Sequence, residues 1–435
     1  MGEVIDSASV LGTKSELELF TVPPTQVAIQ NSYWHEVYAK NCVTNTGPYQ
    51  FVVAPDPNYL DLSCNFMHIR LKVLQHDNSS FADGAEVSPI NAIGKTFFKQ
   101  VKVWLNSRLC YDSGDTYAYR AYLETLLNYG SDAKSTHLQT CLYSKDTAGS
   151  MDANTNAGHI ARRTMSKMGA VMDLIAPIHA DVFQQDRLIL NNTEVRLDLH
   201  RNSDNFCLFS LTDGHARCKI VVESMVWYIK KVEVLKSLAL GVEATLTRNP
   251  AMYPIRRVAV KTMLVEEGRF DVPHNLLFNG QLPRRIIIGC VDKDAYHGNL
   301  KKNPFNFKPF DISNVQIRAG DLSYPRNAIK CDFPNNSYAH AYASLMDATG
   351  VSRADRGIDI SYKDFKSGYC LFGFSLNPDA SDGDTWDLIR SGTSTVKMTF
   401  SAATPADGLH LIILAEWDNL MRLDRSRNPF FDFSV

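Results

Sequence analysis

The sequence predicts an all-β protein, built as two tandem copies of one β-rich unit of the sandwich or barrel type. Two short hairpins stand at equivalent places, one in each half of the 435 residues. A long apolar strand that carries a Trp closes each half. Many short strand-like runs are separated by Pro, Gly, Asn and Asp, and helical patterns are few. A duplicated β-rich unit indicates an architectural role rather than a catalytic pocket.

The first repeated element is the hairpin with the helix that follows it. Residues 101–111 alternate as strand, two-residue turn and strand, and residues 315–324 do the same with one residue fewer. A Tyr- and Ala-rich helix ending in Gly follows each hairpin. The matching positions are Ala121, Tyr122, Leu126 and Gly130 in the first half, and Ala341, Tyr342, Met346 and Gly350 in the second.

The helix of the first half has an apolar stripe at helical spacing, which predicts that it closes an open end or side of the sandwich. Asp115 or Thr116 is expected to cap its start, and Gly130 to take the left-handed conformation after its last turn. The stripe consists of Tyr119, Tyr122, Leu123, Leu126 and Leu127.

Strands are predicted from alternation of apolar and polar residues and from β-branched runs. In residues 66–74, for example, Ile69, Leu71 and Val73 alternate with Arg70 and Lys72. The two closing strands are residues 220–234 with Trp227 and residues 409–423 with Trp417. The other predicted strands are residues 49–54, 187–190, 194–200, 256–265, 283–291, 369–376 and 395–400.

The chain is expected to divide into four parts. Residues 1–25 are polar, end in Pro23-Pro24 and form an N-terminal arm; residues 26–236 form the first unit. Residues 237–253 are the connector, and residues 254–435 form the second unit. Residues 144–158 lack an apolar period and are predicted to be a surface loop.

Composition excludes several classes of protein. The 45 basic and 47 acidic side chains give a net charge of −2, which disfavours a protein that coats nucleic acid. The nine Cys form no Cys-x-x-Cys pair and are predicted to be buried thiols in a reducing compartment, not zinc ligands. No stretch approaches the length of about 20 apolar residues that a transmembrane helix needs. Secretion is not expected either, because the first residues lack a basic and then apolar signal.

Motifs for catalysis, cofactors and metals are missing from the sequence, so no residue is assigned to such a site. It has no Gly-x-Ser-x-Gly elbow, no Walker loop and no dinucleotide fingerprint. His35-Glu36 has no second His one turn away, and His68 and His200 fit structural roles on strands. Residues 379–384 have a calcium-loop spacing but lack the twelfth-position Glu, so a solvated turn is expected.

Five basic pairs are scattered along the chain without interleaved aromatics, so they do not form a typical nucleic-acid groove. Most are expected on solvated faces or in subunit contacts, and the less favoured interpretation is that some of them face nucleic acid. The pairs are Arg162-Arg163, Lys230-Lys231, Arg256-Arg257, Arg284-Arg285 and Lys301-Lys302.

Several segments resemble the double jelly-roll major capsid protein of Polinton/Maverick elements and related adintoviruses. The resemblance covers residues 15–435, and Ser375 departs from it, since Asp is frequent there. In the first half it rests on residues 51–53 and 59–73. The more specific matches are Gly280–Gly289, Ala295–Phe307, Tyr338–Gly350 and Phe365–Leu376.

The resemblance implies two tandem eight-stranded jelly rolls with a few short helices. It further implies homotrimers that look hexagonal, contact neighbouring capsomers, penton and minor capsid proteins, and build an icosahedral shell around packaged double-stranded DNA. The helices after the hairpins and the region 132–182 would then lie at jelly-roll ends. The expected location is the virion capsid, after synthesis in the host cytoplasm and assembly there or in the nucleus. No enzymatic activity, cofactor or membrane insertion is expected.

Two other interpretations remain open at this point. A double jelly-roll lectin or glycoprotein amidase would share the fold and use exposed aromatics with paired carboxylates, but such proteins are usually secreted. A penton protein generally has one jelly roll, and the duplication disfavours it.

Overall fold

The first half of the chain forms two four-stranded antiparallel sheets from eight strands of five to 17 residues. A computed structural model describes residues 6–431 except 11, 42, 44, 213–216 and 378–385, and not the side chains of 273–275. The sheets have the strand orders β1-β8-β3-β6 and β2-β7-β4-β5. The strands are β1 (Ile29–Tyr38), β2 (Tyr49–Val53), β3 (Tyr59–Gln75), β4 (Phe98–Leu105), β5 (Arg108–Asp112), β6 (Met172–Ala176), β7 (Val195–Arg201) and β8 (Cys218–Val234).

The second half repeats this arrangement with strands of its own. Its sheets have the orders β9-β16-β11-β14 and β10-β15-β12-β13. The strands are β9 (Ala251–Val265), β10 (Asp271–Gln281), β11 (Arg285–Asp292), β12 (Ile312–Ala319), β13 (Leu322–Lys330), β14 (Leu371–Ser375), β15 (Ser391–Phe400) and β16 (Leu409–Leu423).

Both halves therefore have one topology. Counted within each half, one sheet joins strands 1, 8, 3 and 6, and the other joins strands 2, 7, 4 and 5. Eight antiparallel strands divided in this way between two sheets form a jelly roll. The predicted duplication and the double jelly-roll fold are both confirmed. A short strand, Pro429–Phe431, extends the second roll beside β16, and Ser88–Pro89 pairs with Leu208–Phe209.

The helices are short and lie in the connections between strands. The described residues contain α1 (Ile93–Thr96), α2 (Tyr117–Asn128), α3 (Ser131–Ser135), α4 (Ala157–Ser166), α5 (Asp204–Cys207), α6 (Lys236–Leu246), α7 (Lys293–His297), α8 (Ala339–Ala348) and α9 (Tyr362–Phe365). Short 3-10 turns cover Ser15–Leu17, Gly114–Thr116, His137–Cys141, Lys167–Gly169 and Asp181–Phe183.

The predicted hairpins and closing strands are present. Asn106 and Ser107 both have positive φ, 43° and 65°, as expected for the primed turn that matches the twist of a two-residue hairpin. Trp227 in β8 and Trp417 in β16 are both buried. The Trp417 ring lies edge-on to Phe278 of β10 at 4.9 Å, so it packs between the two sheets of its roll.

Three local predictions are wrong. The segment 187–190 is not a strand and makes only the isolated bridge between Ile189 and Leu60. The side chain of Thr116, at the N-cap of α2, accepts no bond from the helix and instead donates to the carbonyls of Ser113 and Val260. Gly130 has φ −82°, so the chain leaves α2 in extended conformation, whereas Gly350 after α8 does have a left-handed φ of 70°.

Gly373 in β14 is required by the close approach of α8. A Cβ atom at this position would lie 2.7 Å from the Cβ of Ala348 and 2.9 Å from the Cα of Leu345. We therefore expect Gly373→Ala to lower the free energy of unfolding by about 1–3 kcal/mol through overpacking. Gly241 in α6 has no atom within 4 Å of such a Cβ, so Gly241→Ala should stabilise the helix by up to about 1 kcal/mol. Denaturant titration measures the free energy of unfolding of both variants. The same change in both would contradict the close packing of α8 on Gly373.

Candidate assembly surfaces

Helix α2 lies between the two rolls, and residues 117–127 are all buried. The side chains of Thr116 and Arg120 donate to the carbonyls of Val260 (3.2 Å) and Val258 (3.3 Å) in β9. The apolar stripe predicted one buried face, but the opposite face is covered by the second roll. The expectation that this helix lies at a roll end, exposed or in contact with other capsomers, is therefore wrong.

A buried charged cluster lies on the polar side of α2. Arg120 contacts Glu124 at 2.8 Å and Asp181 at 2.7 Å, and His179 hydrogen-bonds to Glu124. Burial opposes ionisation of Glu124, but the attraction of Arg120 and His179 outweighs it and lowers the pKa of the carboxyl group. Asp181 also accepts the backbone N–H of Val258 at 3.2 Å, so the cluster connects the first roll to β9 of the second.

Aromatic rings extend this contact between the two rolls, which we call the junction. Tyr122 stacks on Phe305 with ring centroids 4.1 Å apart, and Tyr119 stacks on Tyr296 at 5.7 Å. The Tyr119 hydroxyl donates to the carbonyl of Pro304 at 3.2 Å. Because stacked rings bury a large apolar area, these contacts make the junction a continuation of the core.

The sequence predicts that the loop 144–158 lies on the surface, but the structure buries Asp146, Met151 and Asn156 of this loop. Asp146 is fully buried and receives bonds from Arg162 (2.8 Å) and from Asn303 of the second roll (3.2 Å). Its carbonyl also accepts the Tyr369 hydroxyl at 2.7 Å. The prediction from polar composition is wrong here because the buried Asp146 carboxylate is hydrogen-bonded within the protein.

His159 lies inside this loop cluster and makes it sensitive to acid. Its ring stacks on Phe209, Nε2 bonds to the carbonyl of Met151 (2.9 Å), and Nδ1 faces the Arg162 guanidinium (2.9 Å). Burial lowers the pKa of His159 from 6.5 to about 4. The positive charge of Arg162 also lowers this pKa, whereas the negative charge of Asp146 raises it.

Between pH 6.5 and 4 the unfolded chain binds the proton that the folded chain excludes. The folded state should therefore lose up to about 3 kcal/mol of stability as the pH falls through this window. Gln at this position has no charge to gain, so His159→Gln should lose less stability than the wild type between pH 7 and 4. Unfolding titrations at both pH values measure the difference, and parallel losses in the two proteins would contradict a buried neutral His159.

A cleft of about 750 Å³ opens along the junction, on the outer side of the β9-β16 strand pair. Its walls carry both signs of charge, including Glu124, Arg285, Glu416 and Asp418. Arg285 pairs with Glu416 at 2.7 Å and donates to the carbonyl of Ala348 at 3.1 Å. Arg285 thus connects β11 to β16 and to the end of α8.

The outer face of the β1-β8-β3-β6 sheet carries an aromatic surface that the sequence analysis did not single out. Trp34, Phe66 and Tyr228 lie side by side, with centroids 5.0 Å apart for the first two and 4.8 Å for the last two. Glu36 accepts the hydroxyl of Tyr228 at 3.0 Å, and His68 contacts Asp173. We call these residues, with Tyr38 and Ile175, the outer aromatic face. Period-two spacing of Trp34, Glu36 and Tyr38 is the signal that could have found it.

Two residues of the basic pairs, Arg162 and Lys231, are buried, and the others are half-exposed or exposed. Arg162 is fully buried, Lys231 is buried beside Asp56, and Arg284 lies 3.6 Å from Asp418. At least one member of each pair contacts a carboxylate or lies over a ring. The remaining contacts are those of Arg163 with Glu86, Arg256 with Asp418, Arg257 over Trp417, Arg285 with Glu416, and Lys302 with Asp294 and Asp407.

No cluster of three or more His, Cys, Asp or Glu suited to a metal ion occurs among the described residues. The acidic residues 379–384 and Cys42 lie outside them. The eight described Cys are unpaired thiols; seven are buried and Cys64 is half-buried, and burial raises the pKa of Cys290 to about 12. In the part of the chain that the structure describes, no helix is long and apolar enough to cross a membrane.

Comparison with known proteins adds a relative of full length. The chain is 31% identical over 427 residues to the uncharacterized protein F54H12.2 of Caenorhabditis elegans, covering 95% of this chain and 100% of that protein. No model of a known protein family matches the chain.

Solved structures share the fold over nearly the whole chain. A chain of the Sputnik virophage matches with a TM-score of 0.66 and 12% identity, covering 100% of this chain and 94% of that one. The mavirus major capsid protein matches with a TM-score of 0.55 and 11% identity, and the match covers 100% of this chain and 97% of that one. The Faustovirus major capsid protein matches with a TM-score of 0.53 and 10% identity, and the match covers 95% of this chain and 92% of that one. At such identities the likeness concerns the fold, and it is the double jelly-roll fold described above.

Proposed function

Because the chain belongs to the family of the C. elegans protein F54H12.2 and has the fold of virus major capsid proteins, we propose that it is itself a major capsid protein. The observation that carries the proposal is the tandem repetition of one eight-stranded topology in a single chain. The narrower assignment to Polinton/Maverick elements rests on the resemblance of the sequence segments and is part of the proposal.

The fold suits a shell subunit for geometric reasons. Two similar units in each chain, repeated three times around a threefold axis, present six nearly equivalent edges. A capsomer with six such edges tiles a hexagonal lattice, and closed symmetry prevents growth into open filaments. We propose homotrimers with subunit interfaces above the standard size of about 1,600 Å².

The junction between the rolls supports this role. A shell subunit has to keep its two rolls in fixed orientation, since an error in their angle would be repeated across the lattice. The Asp146 cluster and the stacking of Tyr122 on Phe305 hold the rolls together through buried contacts. We propose residues 26–236 and 254–435 as the two rolls, residues 237–253 as their connector, and residues 1–25 as an arm.

The shell would enclose double-stranded DNA without reading its sequence and would contact neighbouring capsomers, penton and minor capsid proteins. The net charge of −2 and the internal use of the basic pairs favour enclosure over tight binding. We propose a structural rather than catalytic role, synthesis in the host cytoplasm, and assembly there or in the nucleus. The structural matches give the glycan-processing alternative no support.

Size-exclusion chromatography with light scattering tests the capsomer. The purified full chain should elute as a particle with three times the mass of one chain. A stable monomer at all protein concentrations, salt concentrations and pH values tested would count against the proposal.

A further inference from the structure

A pocket of about 610 Å³ opens at the end of the second roll that carries the connector and the last strand. Its walls are residues 246–250 at the end of α6, the end of β16 and the segment that follows β16. Arg248, Arg422 and Arg425 are among the lining residues, and Asp424 is the single carboxylate among those that the structure describes there. We call this the arginine pocket. Its lining brings three positive charges together against one negative charge.

A fourth arginine reaches the pocket from the first roll. The Arg108 guanidinium, at the start of β5, lies 5.3 Å from the ring centroid of Phe430, which lines the pocket. An aromatic ring attracts a cation that lies over its face. The hairpin that carries Arg108 is itself held in place, because the Asn106 side chain donates to the carbonyl of Arg427 at 3.1 Å. Arginines that are far apart in the sequence therefore converge, and no basic pair in the sequence indicated this.

The chain leaves the positive charge of the pocket in excess. Arg427 is buried beside the pocket and pairs with Glu243, so that carboxylate is already engaged. The Asp424 carboxylate accepts a backbone N–H of its own turn at 2.8 Å. Arg248 and Arg425 are exposed, and neither contacts a carboxylate among the described residues. The partial negative charge at the C-terminal end of α6 is too small to offset these guanidiniums.

The chemistry of the lining matches phosphate groups. Planar guanidiniums bind phosphate oxygens through two parallel hydrogen bonds, and the side chains of Thr247, Asn249 and Ser426 supply further donors. Binding to a lipid surface instead scales with the apolar area that enters it, and Phe430 is the one exposed large apolar side chain among the described lining residues. We propose that the arginine pocket binds phosphate groups of the enclosed DNA, an inference that rests on the proposed capsid function.

The position of the pocket fits the inner face of a shell. Tight turns join the strands at this end of the rolls, at residues 106–107 and 320–321. The long connections, residues 113–171 and 331–370, lie at the opposite end. Phosphate contacts do not depend on base sequence, and a shell repeats the pocket in every subunit. Weak binding at each pocket therefore adds up to retention of the DNA, although the whole chain has a net charge of −2.

Removal of two exposed guanidiniums tests the pocket. The full-length variant Arg248→Gln, Arg425→Gln loses two charges at the pocket, and the control Arg326→Gln, Arg353→Gln loses two exposed charges on β13 and after α8. Fluorescence anisotropy of a short labelled DNA duplex of random sequence, measured over a range of salt concentrations, gives the affinity. The pocket variant should bind about tenfold more weakly at low salt, and the slope of log affinity against log salt should fall by about 2. The control should stay within about twofold of the wild type.

A second variant separates the loss of charge from a change of structure. Arg248→Lys, Arg425→Lys keeps both positive charges and should therefore keep the salt slope of the wild type. Circular dichroism verifies that all variants are folded. A Lys variant with the reduced slope of the Gln variant would contradict an electrostatic contact with phosphate.

The remaining outcomes distinguish the pocket from the capsid function. Equal DNA binding by the wild type and the Gln variant would overturn the pocket, as would an equal loss in the control. Binding to phosphatidylserine vesicles but not to DNA, lost in the Gln variant, would replace nucleic acid by a lipid partner and overturn the proposal. Light scattering on the same samples reports assembly: wild-type trimers with no effect of the Gln variant refute the pocket alone, whereas a wild type that stays monomeric counts against the capsid function itself.

Discussion

Arg162→Ala is expected to lower the free energy of unfolding by about 3–5 kcal/mol, the range observed when one partner of a buried ion pair is removed. Arg162 and Asp146 are both fully buried and 2.8 Å apart. Arg162 also donates to the carbonyls of Pro89 (2.9 Å) and Ser144 (2.8 Å). Truncation leaves the Asp146 carboxylate buried without its cation and removes one donor from each of the Pro89 and Ser144 carbonyls.

The neighbouring residue provides a matched control. Arg163 is partly exposed and lies 4.0 Å from Glu86, so Arg163→Ala should change stability by less than about 1 kcal/mol. Denaturant titration of both variants measures the difference between two adjacent arginines. A loss for Arg162→Ala as small as that for Arg163→Ala would show that the loop 144–158 is not packed inside the junction.

Trp227→Ala and Trp417→Ala are each expected to cost about 3–5 kcal/mol, because each ring fills a sandwich core. Trp227 is fully buried near Phe183, at a centroid distance of 5.9 Å. The Trp417 indole N–H donates to the carbonyl of Gln281 at 2.9 Å, and the Arg257 guanidinium lies over the ring at 5.0 Å.

Trp34→Ala is the comparison, since Trp34 lies on the outer face of the same sheet as Trp227. Its removal should cost an isolated chain about 1 kcal/mol or less. Urea titration of the three variants, followed by far-ultraviolet circular dichroism, gives the values. A cost below about 1 kcal/mol for either core Trp would contradict the assigned strand register.

The sequence predicts this fold well because its strands obey simple periodic rules. Alternation in β3 and the placement of Trp227 and Trp417 each require one face toward a core, and a one-residue slip would reverse both faces. Repetition of the hairpin and helix then indicated two copies of one unit. These features are local, so one sequence contains them.

Features that depend on contact between the rolls could not be predicted in the same way. The composition of the loop 144–158 is that of a solvated segment, and only the folded chain brings Asn303 and Tyr369 to Asp146. Arg120 and Glu124 occupy the polar side of α2, which amphipathic patterns assign to water. Arg284 and Arg285 were likewise expected at the surface, but carboxylates from β16 neutralise them in the folded chain.

Electron microscopy of the full chain, expressed alone and purified by size exclusion, tests the central claim most directly. The capsid assignment predicts trimers with a hexagonal outline, or closed icosahedral particles, in which each trimer shows six similar jelly-roll densities. Single particles with two jelly-roll densities and no further association, under every salt and pH condition tried, would contradict it.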